Sequence, residues 1–296
     1  MAAIASPIAR PRRSVLYMPG ANTRALEKAR SLPADGLIFD LEDAVAPDAK
    51  AQARVNACQA AASGSYGKRE IVIRANGLDT QWGRDDIAAI ARSGADAVLV
   101  PKVESAATVH QIVALLDSAG APATMSVWCM METPLGMLRA DAIAGAHARL
   151  ACLVMGTNDL VKDLHARHTA DRAPLITGLS LALLAARAHG LAALDGVYND
   201  IANGEGFKAA CRQGRDMGFD GLTLIHPSQI EPCNEAFAPG AAEVAQAHKI
   251  IAAFAEAKAQ GKGVVTIDGR MVEELHVRQA ERAVAMADAI AALAQG

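Results

Sequence analysis

"VWCMMETPLG", residues 127–136, runs apolar from Val127 to Met131 and then delivers a carboxylate, Glu132, with Pro134 two residues beyond it. A strand ends on a charge because it has reached water, or because the charge is put to work there. The pattern recurs along the chain. "SVLYMP" (14–19), "GLIFDLED" (36–43), "EIVIRAN" (70–76), "AVLVPKVE" (97–104), "SVWCMME" (126–132), "ACLVMGTND" (151–159), "LAALDGVYND" (191–200) and "GLTLIHP" (221–227) are short apolar runs that each end in a polar residue or proline. An Ala-rich segment of helical periodicity follows each. From Pro19 to Pro227 the ends recur every 30 residues or so, the length of a strand, a helix and two loops. Eight such units predict a TIM (β/α)8 barrel. The weak alternation within the runs fits parallel strands covered on both faces, and no GxGxxG turn follows the first run, which counts against a doubly wound open sheet.

Punctuation supports the helices. Asn22 and Thr23 are placed to cap the first, Asp48 after Pro47 to open the second and Ser105 to cap the fourth. Gly64, Gly94, Gly120, Gly190 and Gly218 stand where helices should stop. Pro134 should hold Thr133 extended. The domain reading is a tail over 1–12, a barrel catalytic domain over 13–235 and a C-terminal helical extension over 236–296. The extension is read as amphipathic helix, short extended piece and long terminal helix, packing on the barrel or on a neighbouring subunit.

The 296 residues suffice for a sizeable core. A formal charge of −3, with three Tyr, two Trp and five Phe, offers neither the basic excess nor the stacking platforms that nucleic acid requires. Five scattered cysteines, none in a CxxC pair, argue against a disulfide framework or a thiolate zinc site and for a reducing, cytoplasmic setting. The most apolar long stretch, 175–194, carries Arg187 and His189 and fails as a membrane span. The N-terminus has no long apolar core for a secretory signal. GxSxG and HExxH motifs are absent, His165 and His168 read as loop residues, and "NGEG" (203–206) is a weak phosphate cradle.

In such a barrel the active site lies at the C-terminal ends of the strands. The polar residues there are dominated by acids: Asp40, Glu42, Asp43, Glu104, Glu132, Asp159 and Asp200, beside Tyr17, Arg74, Asn76, Lys102, Asn158 and His226. Carboxylates converging on one mouth repel one another unless a cation sits among them. Glu132 and Asp159, from neighbouring strands, form a pair of hard oxygen ligands suited to Mg2+, with water and substrate completing the shell. Arg74 suits a carboxylate or a developing oxyanion. Lys102 could do the same, but pairing with a local acid is weighted higher. Arg24 and Lys28, four apart on the first helix, are either a solvated face or a clamp for an anionic ligand such as a nucleotide diphosphate.

"RSVLYMPGANTRALEKA", "DGLIFDLEDAVAPDAKAQAR", "IRANG", "PKVES", "METPLG", "GTNDL" and "IHPSQI", in this order and spacing, resemble the citrate lyase beta-subunit-like branch of the HpcH/HpaI aldolase superfamily, which includes malyl-CoA and citramalyl-CoA lyases. The resemblance implies a Mg2+-dependent carbon–carbon lyase, with Mn2+ as a substitute metal. It would cleave a 3-hydroxyacyl-CoA thioester to acetyl-CoA and a 2-oxoacid as a homotrimer or dimer of trimers with sites between subunits. By motif, Glu132 and Asp159 hold the metal and Glu42 and Asp43 its waters, while Arg74 binds the substrate carboxylate or thioester oxygen. Tyr17, Arg24, Lys28, Ile225 and His226 match positions that hold coenzyme A, and a backbone N–H of Asn158 or Asp159 takes the product carboxylate. Relatives carry G-x-M-[IV]-D before the last helix, whose Asp exchanges a proton at the enolate carbon in a neighbouring subunit's site. Here "GRMVE" places Glu273 there, with Asp268 a weaker substitute. A malyl- or citramalyl-CoA thioesterase and a citryl-thioester lyase subunit of a complex are the alternatives.

Overall fold

The computed structural model describes residues 10–295, so most of the expected N-terminal tail lies outside the described residues. They fall into two compact units, one of Arg12–Phe237 and one of residues 238–295 together with residues 10 and 11. In the first, eight parallel strands close in sequence order, with β1 also paired to β8, into a TIM barrel. The strands are β1 (Ser14–Pro19), β2 (Gly36–Asp40), β3 (Glu70–Arg74), β4 (Ala97–Val100), β5 (Ser126–Met131), β6 (Leu150–Met155), β7 (Ala192–Asp195) and β8 (Gly221–Leu224). Around them run α1 (Thr23–Lys28), α2 (Lys50–Ala62), α3 (Gly83–Ile90), α4 (Ala106–Ser118), α5 (Pro134–Leu138), α6 (Ala140–Ala144), α7 (Thr157–Asp163), α8 (Ile176–Ala188), α9 (Gly204–Met217) and α10 (Ile230–Phe237).

The expected caps are in place. Asn22 accepts from the Ala25 N–H and Ser105 from that of Thr108. Gly64, Gly94, Gly120, Gly190 and Gly218 all take positive φ, the conformation that ends a helix cheaply only at glycine. Thr133 is extended (φ −120°, ψ 150°) as Pro134 requires, and its hydroxyl caps α5, which Pro134 opens. Elsewhere the structure corrects the reading. A 3-10 turn over Pro47–Ala49 precedes α2, which begins at Lys50. Strands stop short of the expected polar ends: β2 ends at Asp40 because its carboxylate accepts from the N–H groups of Glu42 and Ala44 and turns the chain. Asn158 and Asp159 begin α7 instead of ending β6.

One apolar layer fills the barrel interior, with Val15, Ile38, Val72, Leu99, Trp128, Met130 and Val154, and a larger one lies between strands and helices. At the N-terminal end Arg12 closes the interior. Its Nε and Nη2 clasp the two Glu70 oxygens at 2.6 and 2.8 Å, and its guanidinium lies 5.2 Å from the Trp128 ring. Strand β8 enters beside this backbone with no room to spare: a Cβ at Gly221 would collide with the carbonyl oxygens of Arg12 and Arg13.

The second unit comprises α11 (Ala241–Ala259), a hairpin of β9 (Val265–Ile267) and β10 (Arg270–Val272), and α12 (Glu274–Ala294). Asp268 and Gly269, both at positive φ, form the two-residue turn that such a hairpin favours. No helix among the described residues is long and apolar enough to cross a membrane.

Gly221→Ala should destabilise the barrel by about 1–3 kcal/mol, because the obstacle is main chain that cannot step aside. The melting temperature, read by circular dichroism, should fall by about 3–10 °C. An unchanged value would show that β8 enters more loosely than the geometry indicates.

Candidate active site

The centre of the mouth is Glu132, one residue past β5 and 2 % exposed. Its Oε1 accepts the backbone N–H of Lys102 at 2.8 Å. Lys102, just past β4, is held at φ 51°, a left-handed conformation unusual for a residue with a side chain. On its other side the carboxylate lies against Gly156, where any Cβ would collide with Oε2 and Cβ of Glu132. Glycine at 156 therefore both ends β6 and makes room for the acid.

Glu42 lies nearby. Its Oε1 accepts from the Lys102 ammonium at 2.9 Å, the local pairing weighted in the sequence. Its Oε2 is 2.7 Å from Arg74 Nη1 as an ion pair, but off the hydrogen-bond direction, so among the described residues this buried oxygen has no hydrogen-bond donor. Burial pushes the Glu42 carboxyl up, against the pull of Arg74 and Lys102. Burial also raises Glu132, from the usual 4.5 to about 7, with the charge on Glu42 next in weight and that on Asp159 adding to it. Burial works against the Lys102 ammonium, yet Glu42, Glu132 and Asp159 together hold it above its ordinary range.

Arg74 and Asp40 are register partners at the ends of β3 and β2. Nε and Nη2 of Arg74 each donate to Asp40 at 2.6 Å, a bidentate clasp, and Nη1 faces Glu42 and Asp43, the latter at 3.3 Å. The fork expected to meet substrate is thus taken by Asp40, and only Nη1 is left toward the mouth. Beneath it the Tyr17 ring lies 4.9 Å from the guanidinium, and the Tyr17 hydroxyl donates to Met130 Sδ, so this side chain sits inside the mouth. Burial raises the Tyr17 hydroxyl, with Arg74 opposing.

Asp159, in the first turn of α7, pairs with Lys162 at 2.7 Å. Asn158 exchanges amide hydrogen bonds with Asn199 beyond β7. Gly156 supplies no side-chain cap to α7, so the first N–H groups of that helix face out of it unpaired by the helix itself. Arg24 and Lys28 are exposed on α1, and neither has an ion pair among the described residues. Ile225 and His226 follow β8, which neighbours β1; both are exposed, and His226 caps the turn Pro227–Gln229. His165 and His168 are exposed in the loop after α7. Glu273 belongs to the second unit, at the start of α12, where its N–H donates to His276 Nδ1 at 3.0 Å.

The donor set fits a divalent cation. Crowded, buried carboxylates, both with their acidity weakened and one with an oxygen lacking a donor, have charge to share. No three or more His, Cys, Asp or Glu side chains form a cage among the described residues, so a cation held by Glu132 and Asp159 would have to take its other ligands from water or substrate, the habit of Mg2+. The roles of Asp40 and Gly156 were not assigned from the sequence, although Asp40 stood among the strand-end acids.

Residues 13–227 match the HpcH/HpaI aldolase/citrate lyase family. The chain belongs to this family. It is 54% identical over 284 residues to a (3S)-malyl-CoA thioesterase of Cereibacter sphaeroides, covering 96% of this chain and 97% of that protein. It is 36% identical over 285 residues to the citrate lyase subunit beta of Leuconostoc mesenteroides subsp. cremoris, covering 95% and 94%. Among solved structures it is similar to CitE of Mycobacterium tuberculosis in complex with magnesium, acetoacetate and coenzyme A, with TM-score 0.77 and 30% identity, covering 95% of this chain and all of that one. Membership of the aldolase/citrate lyase family makes the chain an enzyme, and the acid cluster lies where a TIM barrel places its chemistry.

The raised Glu132 carboxyl sets the sign of a pH effect. It binds its proton more tightly folded than unfolded, so its contribution to stability falls as pH rises from about 4.5 through about 7. Without divalent cation the melting temperature should fall between about pH 5 and pH 8, and Glu132→Gln should flatten the fall and melt above wild type at the upper end. A Glu132→Gln profile parallel to wild type would sink this account of the mouth.

Proposed function

We propose that this chain hydrolyses a 3-hydroxyacyl-CoA thioester of the (3S)-malyl-CoA type at a Mg2+ site formed by Glu132 and Asp159. The observation that carries the reading is the buried Glu132 carboxylate, short of positive charge beside Glu42 and Asp159. The thioesterase relative at 54% identity and the magnesium and coenzyme A bound to CitE support it. When bound, Mg2+, or Mn2+ in its place, polarises the acyl oxygens it meets and lowers the pKa of its water.

The chain's own residues do the rest. Glu42 and Asp43 would orient water beside a metal held there, and Arg74, locked to Asp40, holds Glu42 in place and keeps positive potential under the mouth. Arg24 and Lys28 meet the phosphates of coenzyme A, Ile225 and His226 line the same groove, and Tyr17 closes it from within. A backbone N–H at Asn158 or Asp159 takes the distal carboxylate. In hydrolysis a water oxygen bonds to the thioester carbon, the C–S bond breaks, and coenzyme A leaves as the thiol with a proton from that water.

The second reading, carbon–carbon cleavage, is supported by the citrate lyase relative. There the hydroxyl proton is lost, the C2–C3 bond breaks to a 2-oxoacid and the acetyl-CoA enolate, and an acid protonates the enolate carbon. Glu273 is that acid, brought by an extension over 236–296 to a neighbouring subunit's site in a homotrimer or dimer of trimers.

Purified protein given (3S)-malyl-CoA and Mg2+ should release free coenzyme A and malate; acetyl-CoA and glyoxylate instead would favour the second reading. Glu132→Gln and Asp159→Asn should weaken Mg2+ binding by calorimetry and lower kcat/KM by on the order of 100-fold or more. Turnover indifferent to chelator would overturn the metal assignment. Glu273→Ala should abolish carbon–carbon cleavage while leaving Mg2+ binding and direct hydrolysis intact. Undiminished cleavage would remove Glu273 from the chemistry.

A further inference from the structure

Lys50, the first residue of α2, is 6 % exposed. Its ammonium donates to the carbonyl oxygens of Leu41 and Glu42, both at 2.9 Å, and lies 5.2 Å from the Trp82 ring. Among the described residues no carboxylate forms an ion pair with it. Taking an ammonium out of water without a counter-charge is costly. What the two hydrogen bonds hold is the turn that presents Glu42. The Glu42 N–H is fixed by Asp40 at 2.9 Å, its carbonyl by Lys50 and by the Val45 N–H, and the Leu41 carbonyl also receives Asn76 Nδ2 at 3.0 Å. With both backbone groups of Glu42 committed, only its side-chain torsions are free. These are settled by Lys102 on one oxygen and Arg74 on the other.

We propose that Lys50 is a positioning residue: its buried ammonium fixes the backbone of Glu42 so that the carboxylate faces the metal and thioester of the site. This rests on the reading of that site given above. It goes beyond it in assigning the placement of Glu42 to a side chain that touches neither substrate nor metal. Its sign separates position from charge. Removing a nearby positive charge would by itself tighten Mg2+ binding, whereas letting Glu42 drift weakens it.

The test is Lys50→Met, which keeps the apolar stem and loses the donors. The dissociation constant for Mg2+, measured by calorimetry without substrate, should rise about 10-fold, as when a group orienting a metal ligand is lost. The kcat should fall about 10- to 100-fold with KM for the thioester changed less than about twofold, because misplacement by about 1 Å costs turnover before it costs binding. Adding Lys50→Met to Glu42→Gln should cost no more than about a further twofold, since residues acting through one group are not additive. Wild-type Mg2+ affinity and kcat in a Lys50→Met protein that merely melts lower would overturn the proposal, as would tighter Mg2+ binding or fully multiplicative losses. If Lys50→Met does not fold, Lys50→Gln, whose amide is uncharged and one atom shorter, carries the test: losses of at least about threefold in both quantities are expected, and wild-type values overturn it. Wild-type protein that binds no Mg2+ overturns the reading of the site, and this inference with it.

Discussion

Glu132 is a carboxylate withdrawn from water and supplied with too little positive charge, and the mouth of the barrel is organised around that imbalance. Its hydrogen bond from the Lys102 backbone offsets part of the desolvation, and the Lys102 ammonium, attached to Glu42, offsets a little more. Neither restores ordinary acidity. Replacing the acid with an apolar residue would relieve the strain, so the site retains a feature that stability alone does not favour. Its neighbours bear the consequences: a left-handed lysine at 102, a glycine at 156 and a guanidinium at 74 locked to Asp40. On the proposed reading, the strain and small residues gathered around this buried charge belong to a site whose ligand brings the missing charge.

The cations divide the labour. Arg74 is spent on acids, holding Asp40 by two short hydrogen bonds, and Asp40 in turn fixes the turn after β2 through two backbone N–H groups. Lys50 holds the same turn by its carbonyls, so the segment bearing Glu42 is gripped from both sides of its peptide planes. Arg24 and Lys28 stand apart on α1 without partners among the described residues. Cations that are paired set geometry, and cations that are exposed and unpaired are free to meet an anion.

The barrel was legible because eight apolar runs at even spacing have few other solutions, and the helix-stopping glycines because positive φ is cheap only for them. Strand ends were less legible. A polar residue after an apolar run marks the neighbourhood of an end, but the turn itself is set by side-chain hydrogen bonds such as those of Asp40. Asp159 was picked out by residue type, yet Gly156 moved it into a helix. Pairing across strands was hidden too: Asp40 and Arg74 are 34 positions apart and meet only through the register of β2 and β3. Lys50 gave no signal at all, since a lysine opening a helix reads as a solvated charge until the fold buries it.

Hydrolysis and carbon–carbon cleavage make different demands on the second unit. Attack of water on a thioester carbonyl asks for a polarised acyl oxygen and an oriented water, which on the proposed reading the barrel supplies alone. Cleavage of the C2–C3 bond leaves a carbanion equivalent that must be protonated by an acid at hydrogen-bond distance. Glu273 stands where the family resemblance expects the shorter aspartate, and an added methylene displaces a carboxyl by about 1 Å unless its surroundings adjust, enough to cost on the order of 100-fold in a proton transfer. The hydrolytic route is indifferent to that displacement. On the proposed reading, a barrel with its acid cluster intact and a lengthened acid in the second unit would therefore favour breaking the C–S bond, through the position of one proton donor alone.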